Sequence, residues 1–351
     1  MDRKLFVFTV ALTLLGLLAV ADASAPQAFR VFQDPLFFVK QQAVWALVGL
    51  VGMLAVSFVD YRLWRRLAFV VFLVNLVLLV IVLVPGLGVK VLGARRWLDL
   101  GPISFQPSEF MKLSVTLFMA RLADGEYPYW ISIASVGLVA GLIMFQPDLG
   151  TTIMIVAIAG AQFFVMGMPV YILGGLGVLG ALAAGILVLG SDYRRERLAT
   201  FLEGTTDPLG SSYHIRQILI ALGSGGLLGV GIGQSRQKHL FLPETATDSV
   251  FAVIAEEVGF IGASLVIIVL TFYTLRIIKL SQRAPDRFSK VFVAGVAFWI
   301  GGQSFLNIGS MVALTPLTGM PLPFFSYGGS SLTMMLIAIG ILLSISRHAK
   351  A

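Results

Sequence analysis

The residues of this chain with the means to do chemistry are few, and their spacing suggests what each can do. Glu109 and Lys112 lie three apart within an apolar stretch, which puts them on one helix face within reach of each other. Such a pair is either a structural ion pair or a site where Lys112 meets a substrate anion and Glu109 orients it. Glu256 and Glu257 are adjacent. Neighbours on a helix point about 100° apart, so they do not form a catalytic dyad. One is expected to cap backbone N–H groups of an outer loop while the other pairs with a cation. Asp148 and Asp248 each precede an apolar stretch. Asp accepts backbone N–H bonds at helix starts, so spacing alone makes both of them helix caps.

Other chemistries are poorly supplied. Cysteine is absent, which excludes thiol catalysis, disulfides and cysteine-ligated zinc. The histidines are His214, His239 and His348, and none has metal-ligand spacing to another. Six glycines between Gly223 and Gly233 would let backbone N–H groups approach an anion, or simply make a loop. No P-loop pattern is present.

The elements that must position these residues are membrane helices. Of 351 residues, 58% are apolar before 37 glycines are counted, and 12% are charged. Soluble domains reach roughly 45–50% apolar with glycine included and about 25% charged. No water-soluble core could hide this much apolar side chain, so lipid must cover much of it. The net charge of +7 then reads as positive-inside anchoring rather than nucleic-acid binding.

A spanning helix needs about 20 mostly apolar residues. Ten stretches qualify: Leu5–Ala21, Phe37–Val59, Leu67–Val84, Pro107–Leu122, Ile131–Phe145, Thr151–Met166, Val170–Leu189, Ser249–Leu275, Val291–Val312 and Gly329–Ile345. The first resembles a signal peptide, with Arg3 and Lys4 before it and Ala21-Asp22-Ala23 after it, but is read as a retained helix. Ten spans put both termini on one side. With that side cytoplasmic, Arg3, Lys4, Arg62, Arg65, Arg66, Arg121, Arg276, Lys279, Arg283, Arg287, Lys290, Arg347 and Lys350 all lie inside.

Three basic groups remain outside: Lys90, Arg95 and Arg96; Arg194, Arg195 and Arg197; Arg216, Arg236 and Lys238. Long loops are exempt from the positive-inside rule, but the first group sits in a short one. Cations kept there suggest a bound anion, the alternative being a solvated or lipid-anchoring loop. The outer loop from about Gly190 to Asp248 is the one large extramembrane segment. Within it, Ile215, Ile218, Leu219 and Leu222 share a helical face, which predicts a short helix lying at the membrane surface. Between Thr315 and Ser331, Pro316, Pro321 and Pro323 preclude a helix. Irregular backbone near the bilayer must be buried in protein or line a cavity. The fold expected is an all-α polytopic membrane protein, residues 1–351 as a single domain, with about ten transmembrane helices and an ordered extracytoplasmic loop between helices 7 and 8.

Six segments, in order, resemble the SEDS family (shape, elongation, division and sporulation). They are Gly93-Ala94-Arg95-Arg96-Trp97, Gln106-Pro107-Ser108-Glu109-Phe110, Gln146-Pro147-Asp148-Leu149-Gly150-Thr151, Leu242-Pro243-Glu244 through Thr247-Asp248, Glu256-Glu257-Val258-Gly259, and Pro321-Leu322-Pro323-Phe324-Phe325-Ser326-Tyr327-Gly328-Gly329-Ser330-Ser331. The RodA branch is the nearer likeness, although Gln234-Ser235-Arg236-Gln237-Lys238 is similar to the FtsW form. The family usually has an aromatic residue where this chain has Ser249, and the Ala123–Tyr129 connection is short.

The resemblance implies a peptidoglycan glycosyltransferase that polymerises lipid II in support of cell shape and elongation, in the bacterial cytoplasmic membrane. It implies that Asp248 is catalytic and that a class B penicillin-binding protein is the partner. Around Asp248, the expected substrate-binding residues are Arg95, Arg96, Trp97, Glu109, Lys112, Arg216, Lys238 and Glu244. Asp148, Glu256, Glu257 and Ser330 are expected to support them. A hydroxyl attacking an acetal carbon needs a base, and a departing pyrophosphate needs positive charge. A divalent cation such as Mg2+ is a further candidate for that charge, although no residue pattern requires one. The alternatives are a lipid II flippase or a scaffold for a penicillin-binding protein.

Overall fold

The computed structural model describes residues 1–91, 94–99, 101, 104–190, 195, 199, 201, 213–239 and 242–349. Arg194, Arg197, Gly93, Lys350 and most of the loop from 191 to 212 lie outside the described residues.

In chain order the helices are α1 (Arg3–Phe32), α2 (Phe37–Phe58), α3 (Tyr61–Ile81), α4 (Pro107–Asp124), α5 (Tyr129–Phe145), α6 (Leu149–Met166) and α7 (Val170–Leu189). They continue with α8 (Tyr213–Gly225), α9 (Val250–Gln282), α10 (Arg287–Met311) and α11 (Gly329–His348). Local chemistry sets several starts. Asp2, Asp60, Asp148 and Asp286 each accept backbone N–H bonds at a helix N-terminus. Pro107 opens α4, where its missing N–H costs nothing.

Among the described residues, eight helices are long and apolar enough to cross a bilayer, and α5 is apolar but shorter, at 17 residues. The remaining expected span is α4, whose composition is diluted by Glu109, Lys112, Arg121 and Asp124. It tolerates them because it is buried along almost its whole length. Burial separates interior from periphery. In α11, 83% of the apolar window is buried, and in α7 none is. Thus α11 runs through the bundle centre and α7 lies on its outside. Exposed Val, Leu and Phe along α1, α2, α3 and α7 present the apolar surface of a multi-pass membrane protein.

Both termini lie at one end of the bundle. The Asp2 backbone N–H donates to Ser346 Oγ at 2.9 Å, and Arg276 Nη2 pairs with Asp2 at 2.8 Å. Arg65, Asp124 and Asp286 gather at this end, together with Tyr61.

Three features go beyond the expected all-α plan. The first is a three-stranded antiparallel sheet between α3 and α4: β1 (Gly88–Val91), β2 (Ala94–Asp99) and β3 (Ser104–Phe105). The second is a break in α9 at Gly259, which adopts φ 67°. The glycine-rich stretch closes on that break. Val230 and Gly231 N–H groups donate to the Glu256 and Glu257 carbonyls, and Phe260 and Ile261 N–H groups donate to the Gly226 and Leu227 carbonyls. A Cβ on Gly229 would stand 2.1 Å from the Glu257 carbonyl oxygen. Gly229 and Gly231 therefore serve close backbone approach, and their N–H groups meet the carbonyls of Gly225 and Glu257. The third is the face of α8. Ile215, Ile218, Ala221 and Gly225 are buried, while Leu219 is 39% exposed. The small Ala221 and Gly225 let α8 sit tightly on α9, where a Cβ on Gly225 would meet the Ala255 carbonyl oxygen at 2.3 Å, and this tilts the buried face away from Leu219.

Candidate active site

Lys112 is fully buried, and its ammonium meets Glu109 at 2.7 Å and Gln303 Oε1 at 2.9 Å. It also lies 5.3 Å from the ring centroid of Trp299, whose Nε1 donates to the same Gln303 oxygen. The geometry takes the ion-pair alternative for Lys112 and Glu109. The ammonium faces protein groups on α4 and α10, not an open anion site. The reason is desolvation: burying an ammonium is costly unless a carboxylate and further hydrogen bonds meet it.

Gln303 passes this anchorage outward. Its Nε2 donates to the Pro321 carbonyl at 2.8 Å. One turn further along α10, Asn307 Nδ2 donates to the carbonyls of Met320 and Asp248, both at 2.8 Å. Two amides at i, i+4 therefore hold the irregular segment between α10 and α11 against the residue that precedes α9. From α2, Gln42 adds to the hold, donating to the Ser326 carbonyl and accepting from the Gly328 N–H. Met320, Leu322, Phe324, Phe325 and Ser326 are buried, as non-helical backbone at this depth requires.

Asp248 is partly exposed at the edge of this assembly. Helix α9 begins at Val250 with Ser249 in the cap position, so Asp248 stands one residue before the cap rather than in it. A Cβ built on Gly319 would lie 3.6 Å from Asp248 Oδ2, so the carboxylate runs alongside the α10–α11 segment. Upstream, the Glu244 carbonyl accepts from the Thr247 and Ser249 N–H groups, and the Tyr327 N–H donates to the Ala246 carbonyl at 2.7 Å. The Glu244 side chain is exposed and accepts from Thr247 Oγ1 at 2.9 Å. His214 of α8 lies 2.9 Å from Ser249 Oγ.

The arginines of β2 divide. Arg96 Nε donates to the Gln146 carbonyl at 2.9 Å, and its Nη2 donates to the Pro147 carbonyl. It thereby fixes the turn that delivers Asp148. Asp148 caps α6 through the Thr151 N–H and also accepts from Gln106 Nε2. The Gln106 N–H in turn donates to Ser330 Oγ. Arg95 is half-buried in β2 opposite Lys90, and its side chain makes no hydrogen bond or ion pair with a described residue. Trp97 is half-buried in β2, opposite Val89. Arg216 is exposed on α8.

Lys238, expected at the substrate, is buried and paired instead. Its ammonium lies 2.7 Å from both Asp22 Oδ1 and Glu257 Oε1. Burial pulls the Lys238 pKa down, but its hydrogen bonds to Asp22 and Glu257 outweigh it and hold the ammonium above the ordinary lysine range. Glu256 takes the capping half of the expected division. It accepts from Ser235 Oγ and from the Arg236 and Gln237 N–H groups. Among the described residues, no three acidic or histidine side chains gather as metal ligands.

Five site residues escape sequence reasoning: Gln42, Gln303, Asn307, Asp22 and His214. Gln303 and Asn307 did carry a signal, being polar and one turn apart in a span. Asp22 sits in a stretch that resembles a cleavage site, and the spacing of His214 bears only on metal binding.

Comparison with known proteins agrees with this architecture. Stage V sporulation protein E of Bacillus subtilis is 40% identical over 99% of this chain and 98% of that protein. The probable peptidoglycan glycosyltransferase FtsW of Haemophilus influenzae is 39% identical over 99% of this chain and 90% of that protein. A solved structure described as showing structural coordination of polymerization and crosslinking by a peptidoglycan synthase complex matches with a TM-score of 0.81. It is 30% identical and covers 99% of this chain and 98% of its own. The model of the FtsW/RodA/SpoVE family, described as cell cycle protein, matches residues 3–351, and the chain belongs to that family.

Proposed function

We propose that this chain is a peptidoglycan glycosyltransferase that polymerises lipid II at the outer face of the bacterial cytoplasmic membrane, with Asp248 as general base. The supporting observation is a carboxylate at the bundle end opposite the termini, partly open to its surroundings, on backbone held by Asn307 and by the turn at Glu244. A base must be fixed where its proton will appear. The terminus end carries Arg62, Arg65, Arg276 and Arg347, so the positive-inside rule makes it cytoplasmic and Asp248 external.

In the reaction, a sugar 4-hydroxyl on one lipid-linked saccharide attacks the anomeric carbon of another. Its proton passes to Asp248. The new glycosidic bond forms as the anomeric carbon–oxygen bond to pyrophosphate breaks, and polyprenyl pyrophosphate leaves with the electron pair. One displacement inverts the anomeric centre. A glycosidase needs a second carboxyl for its poorer leaving group, and pyrophosphate does not. Arg95 and Arg216 are the cations we assign to the departing charge, with Trp97 and Glu244 beside the saccharide. Arg96, Lys112 and Lys238 act behind them, by fixing backbone.

The partner we infer is a class B penicillin-binding protein. The support is the solved relative, described as coordinating polymerization with crosslinking. A flippase is the weaker reading, because it needs a polar path to both faces. The polar residues tied to Asp248 cluster at one end, and the centre is closed by the Glu109–Lys112–Gln303 contact. Purified protein in detergent given lipid II alone, and then with the partner, tests the proposal. Glycan polymer is the expected product, whereas translocation in liposomes without polymer would favour the flippase.

A further inference from the structure

The segment from Gly226 to His239 leads directly into the turn that bears Asp248, yet apolar burial does not hold it. Leu227, Leu228, Val230 and Ile232 are 70%, 80%, 42% and 81% exposed. Rich in glycine, it has more backbone freedom to lose than most loops. Its position must come from polar contacts. Besides the backbone bonds that close the segment on the break in α9, Glu256 and Glu257 supply one set of side-chain contacts, gripping the backbone of Ser235, Arg236 and Gln237.

The second set comes from α1. Asp22 lies about 30 Å along that helix from Asp2, at the outer edge of the hydrocarbon. Its Oδ1 takes one Lys238 ammonium hydrogen at 2.7 Å, while Glu257 of α9 takes another. Two carboxylates from separate helices thus share one buried cation on the loop between them. A buried ion cluster adds little net stability, because desolvation offsets the attraction, and its best-attested use is to fix register. Six residues earlier on α1, a Cβ on Gly16 would stand 1.9 Å from the Phe324 carbonyl oxygen. Helix α1 therefore touches both segments that flank Asp248.

We propose that Asp22 and Lys238 form a clasp that registers the glycine-rich segment on α1 and so positions Asp248 for catalysis. Asp22 and Lys238 are positioning residues, and neither touches substrate. The inference rests on the glycosyltransferase reading above. Displacement of a catalytic group by about 1 Å can cost on the order of 100-fold in rate.

The test measures glycan polymerisation by the purified full chain with lipid II, for wild type, Asp22→Asn, Lys238→Met and the double variant. Polymer from wild type establishes the underlying reading, and its absence would remove that reading rather than the clasp. With wild type active, Asp22→Asn is expected to lower kcat by about 10- to 100-fold, with KM for lipid II and Tm unchanged. The double variant should be no slower than Lys238→Met alone, because the contact that Asp22→Asn breaks is already lost in Lys238→Met. Exchanging the charges, as Asp22→Lys with Lys238→Asp, should recover part of the lost kcat. Wild-type kcat in folded Asp22→Asn would overturn the proposal. So would losses that multiply in the double variant, or a raised KM in Lys238→Met alone. If Lys238→Met fails to fold, Asp22→Asn and the charge exchange decide.

Discussion

Asn307 donates one amide hydrogen to the Asp248 carbonyl and the other to the Met320 carbonyl, each at 2.8 Å, so a single side chain sets the spacing between the proposed base and the α10–α11 segment. Hydrogen bonds to two backbone carbonyls fix position without touching the carboxylate's chemistry.

Asn307→Ala should therefore lower polymerisation without abolishing it. Two carbonyls lose their donor, at about 1–3 kcal/mol of desolvation each where they stay dry. A rate loss of about 10- to 100-fold is expected, the scale of a misplaced catalytic group. Comparing lipid II turnover with thermal unfolding in detergent checks this. Asn307→Asp should be worse, since an added carboxylate would face two carbonyl oxygens.

The Glu109–Lys112 pair makes a different prediction. Lys112→Met leaves Glu109 buried without its cation, and breaking such a pair typically costs about 3–5 kcal/mol. Adding Glu109→Gln removes the stranded charge and should restore most of the Tm. If the double variant regains stability and also keeps substantial lipid II turnover, Lys112 is structural. A stable double variant with no lipid II binding would return Lys112 to the substrate site.

Gly259→Ala should give little folded protein. The residue sits at φ 67°, and its Cβ would lie 2.3 Å from the Gly229 nitrogen. Both the break in α9 and the loop backbone that fills it would have to move. Yield of monodisperse protein after detergent extraction is the measure.

Arg96 tests the turn that delivers Asp148. Two different guanidinium nitrogens reach two successive carbonyls, Gln146 and Pro147. A lysine ammonium on a flexible stem cannot reproduce that fork. Arg96→Lys should behave more like Arg96→Ala than like wild type in thermal stability. A lysine variant indistinguishable from wild type would show that one contact suffices.

The membrane helices were legible in the sequence because lipid demands long apolar stretches, and each expected span recurs as a helix, although α1 runs on to Phe32, α3 starts at Tyr61 and α9 continues to Gln282. The break at Gly259 was not legible, since Ser249–Leu275 reads as one span and only the distant loop 226–231 supplies the backbone partners that make a break tolerable. The 100° divergence of Glu256 and Glu257 ruled out a dyad but did not say which would meet the cation, and Glu257 accepts from the Ser235 N–H as well as from Lys238. Lys112 and Lys238 were not assignable, because spacing shows where a cation lies along the chain but not whether a carboxylate or a substrate meets it. Lys238 in particular pairs with Asp22, more than two hundred residues away. Asp248 read as a cap from spacing; the structure begins α9 two residues later, at Val250.

The most direct test is the Asp248→Asn variant of the full chain, purified and given lipid II with and without its partner. The account predicts folded protein of wild-type Tm whose polymerisation rate is lower by about 100- to 10,000-fold, the usual loss for a general base. Asp248→Asn protein that makes glycan strands at the wild-type rate would contradict it.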